Sequence, residues 1–390
     1  MTATPALVPD TAPPAPRAIG VEVVDDLAAL RPHRARWNAL VRHAETSTIF
    51  QTFEWLSSWC ETLGAGRRLL VLLAWAGGEL VGVAPLVRAG RRTVEFIGAG
   101  VSDYADFIVP PHADDVRRAL GDRLLALRGE WDRLELANVP EGSATPEYLE
   151  ARCRERGLRV DRRVLYDCPT YRFGDAAADQ QLVRKKSLRR HVNYFQRTGR
   201  LECAHCETIE EVRGYLDQFF DQHARRRALT DAPSAFLDER QRDFFRRAAE
   251  ALLPAGWLRF AVVRFDDAPL AFHFGFEYGG RFIWYKPSFD PSYASHSPGE
   301  VLLKYLFDDA LARGVAEFDF TIGEEAFKYR FANHVRRNEV VRVYRRAPAY
   351  FLERLLRDGR ARLKRSPALA RWGRWARRRV RRRPVGGEGR

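Results

Sequence analysis

One order of predicted elements occurs twice along this 390-residue chain, and this repeat restricts the fold more than any other feature of the sequence. The second half contains a β-rich stretch at 257–290, a helical stretch at 301–314 and a strand at 315–323. The turn pairs Asp266-Asp267 and Gly279-Gly280 divide the β-rich stretch into three strands of a meander. The second half is therefore predicted to form a meander, a helix and a strand.

The first half repeats this order. It contains a hairpin at 69–90, a strand at 93–100, a helix at 114–129 and a strand at 131–139. Helical stretches precede each meander, at 27–44 and 52–63 in the first copy and at 209–228 and 239–253 in the second. We predict an α/β protein with two copies of helices, β-meander, helix and strand, the first over 18–170 and the second over 171–346.

The net charge of +14 lies almost entirely at the C-terminal end. From residue 351 onward there are 15 Arg and Lys and 3 acidic residues, so the rest of the chain is nearly neutral. Residues 1–17 are predicted to be a disordered lead, and no stretch has the apolar length of a signal peptide or a membrane span. We expect a cytoplasmic protein that does not bind nucleic acid through its folded part.

The segment 347–390 is predicted to be a basic amphipathic tail. Leu369, Trp372, Ala376 and Val380 fall on one stripe of a helix whose other side is rich in arginine, a pattern typical of an interfacial helix on an anionic membrane. This pattern makes the inner face of the membrane a candidate partner. An arm that binds RNA, or no partner, is the alternative.

The five cysteines are predicted to be reduced thiols and not metal ligands. Cys203 and Cys206 form a C-x-x-C pair around His205, but no second ligand pair follows at zinc-finger spacing. We therefore expect no metal.

The turn Ser297-Pro298-Gly299-Glu300 before the second-copy helix allows two interpretations. Ser297 and Glu300 match an S-x-x-E capping box, and Pro298 suits the first helical position. A helix that begins with a glycine also presents free N–H groups to a diphosphate. Helix capping and phosphate binding both remain open at this stage.

The second-copy motifs "YKPSFD", "SPGEVLL" and "EFDFTIGEEAFKYRF" occur in the order that marks one protein family. They resemble the CelD/BcsL branch of the GNAT acyltransferases, which is similar to the tandem-GNAT transferases of the FemA/FemB type. In the first copy, "GVSDYADFIVP" is similar to the Ser-Asp-Tyr-x-Asp segment of the family. The resemblance covers roughly residues 45–345 and implies a tandem GNAT-like fold.

The same resemblance implies acetyl-CoA or another acyl-CoA as donor, with its pyrophosphate at Ser297, Pro298, Gly299 and Glu300. The acceptor would be a small molecule or glycan precursor of cell-envelope or polysaccharide synthesis. The equivalent first-copy turn has no glycine and begins its helix with two aspartates, so the donor is assigned to the second copy. Two alternatives are a FemA/FemB-like transferase that uses aminoacyl-tRNA, and a nucleic-acid-binding or membrane-binding protein with a degenerate core.

Acyl transfer from a thioester requires acid–base groups and a group that stabilises the oxyanion. The catalytic candidates are Tyr285, Asp319 and His273. Tyr285 is favoured as an acid or orienting group, and it should point to the opposite face from Lys286. His273 alternates with phenylalanines on a predicted strand, so it is either a hydrogen-bonded core histidine or a general base. Asp319 is either the partner of Lys328 in a structural ion pair or an active-site carboxylate.

The acceptor is expected to lie between the two copies. The candidate residues for binding it are Asp103, Tyr104, Asp106, Lys286 and Lys328. Two carboxylates and a phenol at one strand end suit an amine or a sugar, although a solvated turn explains them as well. The basic stretch 183–200 is predicted to be a helix that binds an anionic acceptor or the donor phosphates, or that is merely exposed.

Overall fold

The computed structural model describes residues 18–90, 92–230 and 233–365, with side chains described as far as residue 358. The strands are β1 (Ile19–Val24), β2 (Val71–Ala76), β3 (Glu79–Ala84), β4 (Leu86–Ala89), β5 (Thr93–Phe96), β6 (Arg133–Pro140), β7 (Arg159–Arg172), β8 (Leu201–His205), β9 (Leu258–Phe265), β10 (Ala268–Tyr278), β11 (Arg281–Phe289), β12 (Glu317–Asp319) and β13 (His334–Tyr344). The helices are α1 (Leu27–Leu30), α2 (Arg34–Arg42), α3 (Phe53–Glu61), α4 (Asp114–Ala126), α5 (Thr145–Glu155), α6 (Ala176–Val183), α7 (Lys186–Thr198), α8 (Ile209–Ala228), α9 (Glu239–Leu252), α10 (Pro298–Ala312), α11 (Ala326–Phe331) and α12 (Ala347–Arg365).

The second-half meander forms as predicted, whereas the first-half meander is divided, because β3 pairs with β2 in one sheet and β5 pairs with β4 in the other. Strands β2 and β3 flank Gly77-Gly78, while β9, β10 and β11 are joined at Asp266-Asp267 and at a second glycine pair. The turn residues have positive φ angles, which glycine and aspartate tolerate better than β-branched residues. The predicted helix and closing strand of each copy are also present, as α4 with β6 and as α10 with β12.

The strands form two sheets. Strands β1, β2 and β3 make a small antiparallel sheet, and the other described strands form a large sheet in the order β4-β5-β6-β13-β7-β12-β11-β10-β9-β8. The parallel pairs β5·β6 and β11·β12 are each connected through a helix, α4 or α10. These two β-α-β units are the equivalent parts of the two copies.

The two halves exchange strands at the centre of the large sheet. β13, from the end of the second half, pairs with β6 of the first half along its length, with Val341 opposite Leu136. β7 pairs with β12 of the second half, with Tyr171 opposite Phe318. The predicted boundary between residues 170 and 171 falls inside β7, so the sheet runs without a break through both halves.

A shared aromatic core fixes the halves against each other. Trp55 of α3 lies 4.8 Å from the ring of Phe244 on α9, and Phe50 lies 5.9 Å from Phe276 on β10 (centroid distances). These side chains are buried. Because close-packed aromatic contacts do not slide without opening cavities, groups from the two halves are held in fixed register at their junction.

The C-terminal end of the described chain is the helix α12, which begins at Ala347. The predicted stripe of Leu369, Trp372, Ala376 and Val380 lies outside the described residues. Within the described ranges, every helix is too short or too polar to cross a lipid bilayer.

Candidate functional site

The parallel strands β11 and β12 part at the point where the two halves meet. They pair only from Arg281 opposite Glu317 to Ile283 opposite Asp319. The chain then turns towards β7, where the N–H of Phe320 donates to the carbonyl of Pro169 (3.1 Å). β11 runs on to Phe289 without a partner strand on that side among the described residues. The separation leaves polar backbone at the carboxyl ends of parallel strands, where ligands bind in many α/β proteins.

Strand β11 leads through a short turn to the N-terminus of α10. Pro298 occupies the first turn of the helix, as predicted. The predicted capping box is wrong, because Ser297 has the left-handed conformation (φ 53°) and its hydroxyl makes no capping bond. The carboxylate of Glu300 instead binds Arg330 of α11 (2.5 Å).

This geometry leaves donors available at the helix N-terminus. Among the described residues, neither the Ser297 hydroxyl nor the N–H of Gly299 has a hydrogen-bond partner. A Cβ built on Gly299 would meet only the ring of Phe289, at 3.4 Å. The glycine is therefore not required by packing inside the protein, and the turn has room and donors for a bound anion.

The carboxylate of Glu300 pairs with Arg330 through one oxygen, while its other oxygen is buried without a hydrogen-bond partner among the described residues. Besides Arg330, the ring of His191 on α7 lies 3.9 Å from the carboxylate. Burial lowers the pKa of His191, although Glu300 opposes this shift. The positive charge of Arg330 reduces the repulsion that Glu300 would exert on a diphosphate at this turn.

The predicted basic helix at 183–200 is α7, and it packs against α10. The ring of Tyr194 stacks on His296 of the turn at 3.7 Å, which ties the two segments together. Lys185, just before α7, lies over the ring of Phe331 at 4.8 Å. Helix α7 therefore borders the N-terminus of α10, and its Arg190 lies 3.5 Å from His191, the neighbour of Glu300.

Asp319 is the central carboxylate of the junction. The hydroxyl of Tyr104 donates to one of its oxygens (2.9 Å), and the N–H of Thr321 donates to the same oxygen (2.8 Å). Arg336 of β13 donates to the other oxygen (2.7 Å). Burial raises the pKa of Asp319, and the charge of Arg336 opposes that rise. Three segments thus meet at one buried carboxylate.

The predicted pairing of Asp319 with Lys328 is wrong. The Lys328 ammonium donates to the carbonyl of Ile322 (2.7 Å) and pairs with Glu325 (3.0 Å). Arg336, which sequence reasoning missed, takes its place because β13 inserts beside β7 and brings a guanidinium to the strand end. The alternating valines at 341 and 343 indicate a strand there but not its partners.

Asp103 faces two lysines at the same junction. Burial raises the pKa of Asp103, while the charges of Lys286 and Lys328 act in the opposite direction. Burial also lowers the pKa of Lys286, against the charge of Asp103. Among the described residues, the Lys286 ammonium makes no hydrogen bond or ion pair and lies 4.3 Å above the ring of Tyr285. A buried carboxylate and an unpaired ammonium close to each other can hold a polar ligand.

Tyr285 and Lys286 do not diverge as the strand alternation predicted, because the lysine side chain folds back over the tyrosine ring. The Tyr285 hydroxyl donates to the carbonyl of Val101, and its ring packs among Phe50 and Trp55. Burial raises the pKa of Tyr285 well above its usual value. The phenolic proton of Tyr285 is therefore held in a hydrogen bond within the protein.

His273 is fully buried. Its Nε2 accepts the N–H of Tyr285 (3.2 Å), and its ring stacks near Trp284 (centroids 4.8 Å apart). The ring occupies the space of a side chain at Gly275, where a Cβ would lie 1.9 Å from it. Burial holds the pKa of His273 well below its usual value, so the ring is neutral. This geometry favours the core histidine over the general base.

Asp106 lies apart from the other candidates. Its carboxylate accepts from the Thr46 hydroxyl (2.8 Å) and from the N–H of Phe107 (2.7 Å), and it is buried. Burial raises the pKa of Asp106 to about 6. The junction therefore brings together Asp103, Tyr104, Tyr285, Lys286, Asp319 and Lys328, but not Asp106.

The equivalent helix end of the first copy is closed by ion pairs. Arg117 of α4 is buried and pairs with Glu45 (2.8 Å) and with Asp114 (2.5 Å), which lies in the first turn of the helix. Glu45 also accepts the N–H of Ala144 (3.1 Å). Carboxylates thus already occupy the positive end of α4, and this supports the assignment of a donor to the second copy.

The pair Cys203 and Cys206 consists of free thiols. Burial raises the pKa of Cys203 to about 12 and that of Cys206 to about 11. His205 between them pairs with Asp309 (3.2 Å). Over the part of the chain that the structure describes, no group of three or more His, Cys, Asp or Glu side chains is arranged to hold a metal ion.

Part of the chain matches a known protein family. Residues 183–329 match the family described as "Acetyltransferase (GNAT) domain". No curated protein sequence matches the chain. The matched segment begins just before α7 and ends in α11, so it contains β11, α10 and β12 of the candidate site.

Three solved structures share the fold. FemX superimposes with a TM-score of 0.58 at 11% identity, over 79% of this chain and 95% of FemX. A conserved protein of unknown function from Bacteroides thetaiotaomicron gives 0.54 at 15% identity, over 84% of this chain and 100% of that protein. The C-terminal domain of an Agrobacterium fabrum protein assigned as a lysylphosphatidylglycerol synthetase gives 0.51 at 14%, over 83% and 94%. The predicted α/β GNAT-like fold is confirmed.

Proposed function

We propose that this protein is a GNAT-type acyltransferase that takes its acyl group from acetyl-CoA or another acyl-CoA. The observation that carries the proposal is the N-terminus of α10 at the end of β11, where the Ser297 hydroxyl and the Gly299 N–H have no partner among the described residues. A diphosphate would accept from these donors, and the basic residues of α7 would add positive charge. The match of residues 183–329 to the GNAT acetyltransferase domain supports the same donor.

The acceptor would bind at the junction of the two halves, next to Asp103, Lys286 and Lys328. We infer an amine or hydroxyl on a small molecule or glycan precursor of cell-envelope or polysaccharide synthesis, in line with the CelD/BcsL resemblance. The acceptor nitrogen or oxygen would attack the thioester carbonyl and lose its proton, the C–S bond would break, and the CoA thiolate would take up a proton. Asp103 would orient the attacking group, and Lys286 would stabilise the oxyanion.

The three catalytic candidates from the sequence have structural roles in this proposal. The hydroxyl of Tyr285, the carboxylate of Asp319 and the ring of His273 are each engaged in hydrogen bonds inside the protein. We propose that Asp319 and His273 are positioning residues that hold β11 and β12 at the junction. Tyr285 would support Lys286 through its ring.

Calorimetric titration of the full-length protein tests the donor site. ADP, desulfo-CoA and acetyl-CoA are titrated at 0.3 M salt, which screens the basic tail. Gly299→Glu should weaken acetyl-CoA binding at least tenfold, because the new carboxylate lies at the phosphate position. Gly214→Glu is the matched control, since this exposed glycine of α8 also has open space around its Cβ. Equal binding by both variants, or no binding of acetyl-CoA at millimolar concentration, would refute the donor site.

A transferase that uses aminoacyl-tRNA is the second candidate. The basic helix α7 beside the N-terminus of α10 favours it, because such a surface also suits a nucleic-acid backbone. Transfer of a labelled aminoacyl group from charged tRNA, with no turnover of acetyl-CoA, would select this activity. Turnover with neither donor would favour the third alternative, a nucleic-acid-binding or membrane-binding protein with a degenerate core. For each of these candidate functions, we propose that the protein acts in the cytoplasm.

A further inference from the structure

The helix α12 carries its apolar side outward. Four large side chains of its first turns are solvent-exposed: Phe351 (55%), Leu352 (60%), Leu355 (70%) and Leu356 (53%). At 100° per residue these positions cover a continuous sector of the helix surface. A helix on a globular protein usually turns such a sector towards the core, so the arrangement here is reversed.

The opposite, polar side of α12 attaches the helix to the sheet. Glu353 pairs with Arg133 of β6 (3.3 Å), and Arg357 pairs with Asp161 of β7 (2.5 Å). The ring of Tyr350 also contacts Tyr344 of β13, with centroids 5.6 Å apart. Contacts to three strands thus fix which side of α12 faces outward, and turning the apolar side inward would break the ion pairs.

The charge around the exposed face indicates what covers it. Arg346 and Arg354 are exposed near the apolar sector, and each has one carboxylate within 4.0 Å, Asp132 and Asp358 respectively, so the excess positive charge comes from the rest of the C-terminal segment. From residue 351 onward the chain carries 15 Arg and Lys and only 3 acidic residues. A second copy of this chain would bring the same positive charge against the face, whereas a bilayer with anionic lipids offers both apolar depth and opposite charge.

We propose that α12 docks the protein on an anionic lipid bilayer, with Phe351, Leu352, Leu355 and Leu356 at the boundary between headgroups and acyl chains. Because the ion pairs of Glu353 and Arg357 and the contact of Tyr350 with Tyr344 hold α12 on the sheet, docking would orient the fold relative to the membrane. The inference is independent of the proposed acyltransferase activity. It also differs from a purely electrostatic attachment through the arginine-rich residues after 365.

Vesicle cosedimentation of the full-length protein tests the proposal. Vesicles of phosphatidylcholine alone and of phosphatidylcholine with 30% phosphatidylglycerol are compared. The wild-type protein should bind the anionic vesicles, and the double variant Leu352→Glu/Leu355→Glu should lower the partition coefficient at least tenfold. The matched control is Leu229→Glu/Leu237→Glu, which changes two leucines that are equally exposed elsewhere on the surface (69% and 71%). Circular dichroism of each variant verifies the fold.

Three outcomes would overturn the proposal. Absence of wild-type binding to anionic vesicles would refute membrane docking. Equal binding by both double variants would mean that the polycationic segment alone binds the lipid. A concentration-dependent dimer in light scattering, lost only in Leu352→Glu/Leu355→Glu, would identify a second copy as the partner of this face. Acetyl-CoA titration of the same variants should be unchanged, so failure of docking is distinguishable from failure of the proposed activity.

Discussion

Tyr104 and Asp319, which lie 215 positions apart in the sequence, are joined by a 2.9 Å hydrogen bond at the junction of the two halves. The phenol comes from the loop after β5, and the carboxylate ends β12. Both side chains are buried, so solvent cannot substitute for either partner. The bond therefore ties the loop after β5, part of the predicted acceptor region, to the end of β12. Strand β12 pairs with β11, which leads to the predicted donor site.

Replacing Tyr104 with Phe should lower the free energy of unfolding by about 1–3 kcal/mol, because the buried carboxylate loses a donor. Urea denaturation measures the effect. The control is Tyr166→Phe, at an exposed tyrosine of β7. If both variants unfold at the same urea concentration, the bond contributes nothing to stability.

Asp106 should make stability depend on pH. Burial raises its pKa from 3.8 to about 6, so folding favours the protonated form. This contribution is fully present below pH 3.8 and is lost as the pH rises through 6. The neutral variant Asp106→Asn should therefore gain stability relative to wild type between pH 4.5 and 7.5, by about 2 kcal/mol. Urea unfolding at both pH values measures the difference, and a difference that does not change with pH would contradict the expectation.

Two glycines of the second half should respond oppositely to the same change. A Cβ at Gly275 would lie 1.9 Å from the ring of His273 and 2.6 Å from the carbonyl oxygen of Ile283, so Gly275→Ala should cost about 1–3 kcal/mol. Gly299→Ala should be neutral or stabilising by up to about 1 kcal/mol, because the site is open and alanine favours a helix. Thermal and urea unfolding compare the two variants. Equal costs would mean that His273 does not fill the space above Gly275.

Loss of the Asp103 carboxylate or the Lys286 ammonium should impair turnover more than donor binding. Asp103→Asn and Lys286→Met are each expected to reduce kcat/KM at least tenfold, while calorimetry gives an unchanged Kd for acetyl-CoA. Lys304→Met is the control, because that partly buried lysine pairs with Asp308 within α10, away from the junction residues. Wild-type turnover in both junction variants would exclude the junction as the acceptor site.

Much of the fold could be predicted because its signals are local. The turn pair Asp266-Asp267 and the alternation of apolar residues placed the meander, and the apolar spacing from Leu302 to Ala310 placed α10. The neighbours of β7 and β13 could not be predicted, since strand pairing across more than a hundred residues leaves no local pattern. For this reason the sequence suggests Lys328 as the partner of Asp319 and carries no sign of Arg336.

The candidate site, like the fold, is only partly predictable from the sequence. Its residue types at the strand ends were identified, but not the direction of each side chain. Ser297 matched a capping box, yet its left-handed backbone conformation and the pairing of Glu300 with Arg330 removed both halves of that motif. Tertiary contacts decided these positions.

The exchange of β7 and β13 also dictates an order of events during synthesis. Strand β6 emerges from the ribosome about two hundred residues before its partner β13, so its edge stays unpaired through about half of translation. The first half therefore cannot complete its sheet as an autonomous nascent domain. Both halves would reach their final form together, only after residue 344 has left the exit tunnel, and a nascent chain stalled earlier would depend on chaperones to shield that edge.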